Sequence, residues 1–470
     1  MLTRLEVDGF KNLLDLKVDL GPFTCIAGIN GAGKSNVFDS IHFLSLLASR
    51  SLLDAAQEVR DVVRGDRLGD PRELFWNGYA DGDHRMRLAA EMIVPKDIED
   101  DFGRMASASI TYLRYELELG YSPPTGVEKI GRLRLLSETL RHINLSDAPN
   151  RLHFPHSVAR FRRAVLTGRR SGTAFISTTL VEGQPVVSIH QDGGSRGQPK
   201  AAAAARAPAT VVSTVTSSDD PTILAARREM QSWRRLALEP SALRTSDRYA
   251  DPRAMDATGL HMPGALLRIG YQDGDPERVE ARVASRLADL SGLRVGELRV
   301  DEDDVRELLT VQLTETGGMT LPARSLSEGT LRFLALCVLL EDPSVTGLLC
   351  MEEPENGIHP ANVEAMVGLV RDLAVDAGEE PGPDNPFRQV IINTHSPHVV
   401  QLVDKEDLLF ADTASMRAPD GSLASGLLLR PLAGTWRDAP SSEVPAVTKP
   451  DILPYLTNPP GTQLSLEPTA

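Results

Sequence analysis

Residues Gly28-Ile29-Asn30-Gly31-Ala32-Gly33-Lys34-Ser35 match the spacing G-x-x-x-x-G-K-S in full. Glycines so placed let successive backbone N–H groups curl around an anion. The apolar run Phe23 to Ala27 precedes the loop, and a helical pattern follows it, with Val37, Ile41 and Leu44 on one face. The N-terminus of that helix adds partial positive charge beneath the loop. Lys34 then reaches the β- and γ-phosphates of ATP, and the Ser35 hydroxyl holds Mg²⁺. The expected contact set is Asn30, Gly31, Ala32, Gly33, Lys34, Ser35 and Asn36.

A second group of chemistry-bearing residues lies far downstream. Leu348-Leu349-Cys350-Met351 reads as an apolar strand that delivers Glu352 and Glu353 at its end. In enzymes with a phosphate loop, the first such acid suits the Mg²⁺ shell and the second polarises the attacking water. A general base in Glu353's place contributes roughly 10²–10⁴-fold. Upstream, Ser325-Leu326-Ser327-Glu328-Gly329-Thr330 opens the apolar helix Leu331 to Leu340. A serine and a glycine at a helix start make another anion site. Because Lys34 already serves the chain's own nucleotide, Ser327 and Gly329 make sense as half of an ATP sandwich lent to a partner subunit. A simple N-cap is the alternative reading. After the strand Val390 to Ile392 comes Asn393-Thr394-His395-Ser396, where His395 can hydrogen-bond the γ-phosphate or the attacking water. A lone strand-end histidine is usually structural; the order of the four motifs gives this one its catalytic reading.

The elements that must position these residues can be read from periodicity. Leu14, Leu16, Val18 and Leu20 alternate with charged residues, as in a half-buried strand. Similar alternation runs from Met86 to Val94 and from Ile110 to Leu119. Thr173 to Ile189 reads as a strand pair turned at Glu182-Gly183-Gln184-Pro185, and Gly193 to Gly197 as a loop. A helix is expected from about Thr222 to Leu238, capped by Asp219 or Asp220, with Ile223, Ala226, Met230, Trp233 and Ala237 on its core face. Another is expected from Pro276 to Leu290, with Val279, Val283, Leu287 and Leu290 on one side. The last forty residues hold eight prolines and no periodicity, which predicts a mostly extended tail.

The chain has 470 residues, room for two or three domains of about 150 each. Its net charge of −15 disfavours indiscriminate binding to nucleic acid. The segment 141–206 departs from that average, with ten Lys/Arg against three acids. It is a candidate contact for DNA or RNA, or a solvated charged face. No apolar run reaches the roughly 18 residues of a membrane span. The opening Met1 to Val7 has no basic stretch before an apolar one, so no secretory signal is expected. Cys25, Cys337 and Cys350 lack metal-ligand spacing and each sits in an apolar run. Reduced, buried thiols and a cytoplasmic address follow.

On these motifs the sequence resembles ATP-binding-cassette-type ATPases of the RecF, SMC and OLD kind, often grouped as AAA-family ATPases. The marks are Asp8-Gly9-Phe10-Lys11-Asn12-Leu13, Gly28 to Ser35, Leu326 to Thr330, Glu352 to Pro360 and Asn393 to Ser396, within residues 1–120 and 220–415. The resemblance implies a P-loop fold: a mixed sheet flanked by helices, an antiparallel β subdomain and an α+β insertion. It implies ATPase lobe I at 1–120, a basic partner-contact insertion at 121–220, lobe II at 221–430 and a proline-rich tail at 431–470. Lys34 and Ser35 match the Walker A pair, Ser327 and Gly329 the signature motif, and Glu352 and Glu353 Walker B. Asn356 and Gly357 match the D-loop, and His395 the switch histidine. Lys34, Glu353 and His395 are thereby the catalytic set, and Ser35 and Glu352 the Mg²⁺ ligands. Glu352 stands where many relatives carry Asp, and no Q-loop glutamine is identified. Long coiled-coil arms and a Toprim nuclease domain are missing.

The expected function is an ATP-hydrolysing switch that dimerises head to tail around ATP. It would control a separately encoded effector, a nuclease, as do similar compact ATPases of the anti-phage systems Septu and PARIS. The alternatives are a RecF-like repair or recombination factor, and a nucleotide-gated scaffold with negligible turnover.

Overall fold

A computed structural model describes residues 1–59, 70–80, 82–126, 129–192, 200–204, 207–291, 295–417, 421–438, 444–448 and 450–452. The chain divides into two units: Met1–Arg234 with Asp376–Pro381 and Lys405–Ala470, and Arg235–Val375 with Gly382–Asp404. The class is the expected one, α/β with mixed and antiparallel sheets flanked by helices. The units follow strand pairing between distant segments, so their limits differ from the expected boundaries at 120, 220 and 430.

In the first unit, eight strands form one sheet. Their spatial order is Lys200–Ala203, Gln184–Ile189, Ile176–Val181, Arg132–His142, Tyr112–Ser122, Arg85–Ile93, Leu2–Asp8 and Leu16–Asp19. Alternation sorts its two faces. Along Tyr112–Ser122, Tyr115, Leu117 and Leu119 are buried, whereas Arg114 pairs with Glu6 and Glu116. Residues 121–220 are therefore no detached insertion. Arg132–His142 pairs with Tyr112–Ser122, His142 opposite Leu113, and the strands after it extend the same sheet. The hairpin within 173–189 turns on Glu182 and Gly183 alone, with φ of 50° and 77°. Two central residues at positive φ define the type I′ turn, which follows strand twist. The expected loop Gly193 to Gly197 lies outside the described residues.

A smaller sheet of this unit carries the phosphate loop. Phe23–Gly28 runs parallel to Leu408–Arg417, with Cys25 opposite Leu408, and Leu408–Arg417 pairs antiparallel with Leu423–Pro431. All of Phe23–Gly28 is buried. At its end only glycine fits, since a Cβ on Gly28 would lie 2.4 Å from the Ala411 carbonyl oxygen. Of the extended tail expected at 431–470, residues 439–443, 449 and 453–470 lie outside the described residues; the described part is anchored. Arg437 is buried, donates to the Asp19 carbonyl at 3.0 Å and Thr24 Oγ1 at 2.9 Å, and stacks on Trp436. These are single-residue anchors in irregular backbone, which no periodicity announces.

The helix expected over 222–238 ends early, as Pro221–Gln231, and Arg234–Leu236 is a strand. The Ser232 hydroxyl donates back to the Glu229 carbonyl at 2.6 Å and Trp233 Nε1 to Glu229 Oε1 at 3.0 Å. Such local bonds give the backbone an exit from the helix.

In the second unit, Gly347–Glu352 and Arg388–Thr394 run parallel, Glu352 opposite Asn393. Helices Met262–Asp273, Pro276–Ser291, Glu328–Glu341 and Val363–Asp372 belong to this unit, with an antiparallel sheet of 247–248, 295–303, 308–315 and 320–322. Val279, Val283 and Leu287 are buried as expected. All three cysteines are buried free thiols, and burial pushes Cys337 up to about 12.

Candidate active site

The phosphate loop of the first unit is shaped for an anion. Helix Lys34–Leu47 starts from Gly33 at φ 102°, with no side-chain cap and no acid in its first turn. The leading amides of a helix have no intrahelical acceptors. Uncapped and unopposed by carboxylate, they suit phosphate. Lys34 is buried, and its ammonium donates to the Gly28 and Ile29 carbonyls at 2.7 and 2.8 Å. Ala32 is buried, while Asn30 and Gly31 are exposed at the crest. Asn12 braces the loop: its Nδ2 donates to the Ala32 carbonyl at 3.1 Å, and Asn36 Nδ2 donates to its Oδ1 at 2.7 Å. A Cβ on Gly33 would strike the Asn12 amide at 2.3 Å. Asn36, expected at the nucleotide, thus also locks the loop to Asn12.

In the second unit, Glu352 and Glu353 stand at the end of Gly347–Glu352, as expected. Glu353 has φ 44°. Non-glycine residues enter that region at a cost of roughly 1–2 kcal/mol. Its N–H is held by the Asn393 carbonyl at 3.0 Å and Asn393 Oδ1 at 3.1 Å. Its carboxylate contacts His395 Nδ1 at 2.6 Å and accepts from Asn356 Nδ2 at 2.7 Å. An ionised carboxylate only accepts, so Nδ1 carries the proton toward Glu353. In the neutral ring, Nε2 then bears the lone pair. The turn under His395 is fixed by Thr394, which accepts from the Ser396 N–H at 2.9 Å and donates to Glu355. Burial holds the Glu355 carboxyl above the usual carboxylate range.

Glu352 forms an ion pair with Arg235, Nη2 to Oε1 at 2.5 Å. A cleft of about 250 Å³ beside it is lined by Arg235, Glu239, Arg332, Glu352, Glu353 and Asn356. As for Mg²⁺, the Ser35 hydroxyl and the Glu352 carboxylate are hard oxygen donors, the chemistry that ion selects. Another group, Asp247, Asp251 and His261, brings its ligand atoms within 4.8 Å of one another. Those atoms already have protein partners: Asp247 bonds His261 and the Gly264 N–H, and Asp251 the Arg248 N–H.

Ser327 caps helix Glu328–Glu341, its Oγ accepting from the Thr330 N–H at 3.2 Å. The hydroxyl also meets Thr330 Oγ1 at 2.7 Å. A hydroxyl has one donor and two acceptor sites, so with Thr330 as the donor of that pair the Ser327 hydrogen is left to donate to a phosphate oxygen. Gly329 permits a close approach, since a Cβ there would lie 3.3 Å from the Gly357 carbonyl oxygen.

Sequence reasoning did not assign Asn12, Asn393 or Arg235 to the sites. Asn12 and Asn393 fall inside motifs that were visible; nothing in the spacing marks Arg235. Of the basic segment, Arg151 pairs with Glu91 and Arg160 with Glu379. Arg170 is bound to the Thr173 carbonyl and stacked on Phe175. Arg141, Arg163 and Arg169 are exposed.

Residues 224–401 match a family model described as "AAA domain, putative AbiEii toxin, Type IV TA system". No curated protein matches the chain. Among solved structures, an SMC head bound to the C-terminal winged-helix domain of ScpA is 14% identical, covering 92% of this chain and 98% of that one, with a TM-score of 0.45. The SMC head of Thermotoga maritima is 12% identical, with coverage of 91% and 98% and a TM-score of 0.36. The Pyrococcus furiosus SMC head with an extended coiled coil, bound to the C-terminal domain of ScpA, is 13% identical, with coverage of 92% and 96% and a TM-score of 0.39.

Proposed function

We propose that this chain is an ATPase whose nucleotide cycle works as a switch. The observation that carries the reading is Glu353, held at φ 44° with its carboxylate on His395 Nδ1 at 2.6 Å. Strained backbone kept in place by several bonds is a mark of functional sites. The uncapped helix behind Lys34 supports a triphosphate as substrate. Glu353 takes a proton from the attacking water, and His395, oriented by Glu353, accepts from that water through the Nε2 lone pair or, when its ring carries both protons, donates to the γ-phosphate. Lys34 neutralises phosphate charge. Ser35 and Glu352 would hold Mg²⁺, which offsets charge on the β- and γ-phosphates.

Two copies pair head to tail in this proposal. Each lends Ser327 and Gly329 to the triphosphate on the other's Lys34 loop. The output is control of a separately encoded effector, a nuclease, in anti-phage defence; the toxin–antitoxin description of the matching family model is in keeping with such a role. Contact with DNA or RNA would run through the exposed Arg141, Arg163 and Arg169.

Purified protein tests the enzyme directly. Glu353→Gln is expected to lower ATP turnover by roughly 10²–10⁴-fold while ATP still binds. Lys34→Ala should lose both. No hydrolysis by the wild-type chain, with Mg²⁺, DNA and partner supplied, would sink the ATPase reading.

A further inference from the structure

We infer that Arg235 is a charge placeholder that competes with the divalent cation for Glu352; this rests on the proposed role of Glu352 as a metal ligand. The guanidinium Nη2 lies 2.5 Å from Glu352 Oε1, with Arg235 22% and Glu352 30% exposed. Arg235 belongs to the short strand Arg234–Leu236, so its backbone is fixed while its long side chain can swing. A carboxylate oxygen already facing a guanidinium attracts a second cation less, because the two cations repel. Metal arrival therefore requires the guanidinium to withdraw. The cleft gives it a place to go: Glu239 lines the same 250 Å³ as Arg235 and offers another carboxylate.

Metal loading and Arg235 release are then one event. Glu352 is never left as a bare, half-buried carboxylate, a state that costs free energy. The Mg²⁺ requirement for nucleotide binding is set higher than Glu352 alone would set it. Arg235 acts through Glu352 and is a positioning residue.

The test is a Mg²⁺ titration of fluorescent ATP-analogue binding, in a Glu353→Gln background so that turnover does not interfere. Arg235→Gln and Arg235→Ala should each lower the Mg²⁺ concentration at half-maximal binding by roughly two- to fivefold, within the range for a partly exposed ion pair. Arg235→Lys, which keeps a cation, should stay near the parent. An unchanged or raised midpoint in both neutral variants, with analogue binding intact, overturns the placeholder role and leaves the ATPase reading standing. Analogue binding without any Mg²⁺ dependence overturns the metal role of Glu352 and the placeholder with it; no analogue binding in the parent at any Mg²⁺ concentration overturns the nucleotide reading as well.

Discussion

Glu353 concentrates the chemistry into one residue: left-handed backbone, two Asn393 contacts, and carboxylate contacts to His395 and Asn356. His395 depends on that carboxylate for its tautomer. Its removal should therefore harm the chemical step more than binding. His395→Ala is expected to reduce kcat by about 10²-fold, with nucleotide affinity within about twofold, a split that marks an interaction made in the transition state. Steady-state kinetics beside equilibrium binding would show it; equal losses in both would assign His395 to binding. The residue types of this centre were legible from the motifs. The bonds between them were not, because neither the φ of Glu353 nor the reach of Asn393 follows from spacing.

Among elements, the strand Arg132–His142 carries a group that the sequence hid. Glu138 is fully buried and accepts from the Val211 and Val212 N–H groups at 2.6 and 2.8 Å and from the Tyr115 hydroxyl at 3.2 Å. Burial raises it from the ordinary 4.5 to about 7. The folded chain thus binds this proton more tightly than the unfolded one. Stability from it is full below about 4.5 and is lost as pH climbs toward about 7. Glu138→Gln keeps an acceptor and removes the titration. Between pH 5 and about 8 the melting temperature of the wild type should fall relative to that variant; parallel curves would contradict the sign. Periodicity placed the strands around Leu16, Met86 and Tyr112, since one buried face imposes the alternation seen in Tyr112–Ser122, but it did not mark Leu2–Asp8, Arg132–His142 or Leu308–Glu315. It overran the helix at Gln231, where Ser232 and Trp233 bond backward. It also missed the anchors at Trp436 and Arg437, each a single residue whose contacts lie far away in the chain.

For the whole molecule, the decisive test is assembly. Ser327→Arg should leave ATP binding to single copies intact and block the ATP-dependent dimer, read by light scattering or analytical ultracentrifugation. Loss of the cap costs about 1 kcal/mol in helix Glu328–Glu341, so Ser327→Asp is the companion. It caps well and places negative charge where the γ-phosphate is proposed to sit. Dimers and full turnover in both variants would defeat the sandwich. Fold class and motif order were legible because glycine loops and apolar strands leave strong local signals. The division into units was not, because it depends on pairing between segments far apart in the chain.

That pairing also bears on how the protein is made. Cys25 is translated long before its partner strand, which begins at Leu408. The nascent phosphate-loop strand must wait, with that edge bare, until Leu408 and the residues after it have been translated. Nucleotide cannot meet a finished cradle during synthesis, and a product truncated before Leu408 would leave that edge open to aggregation.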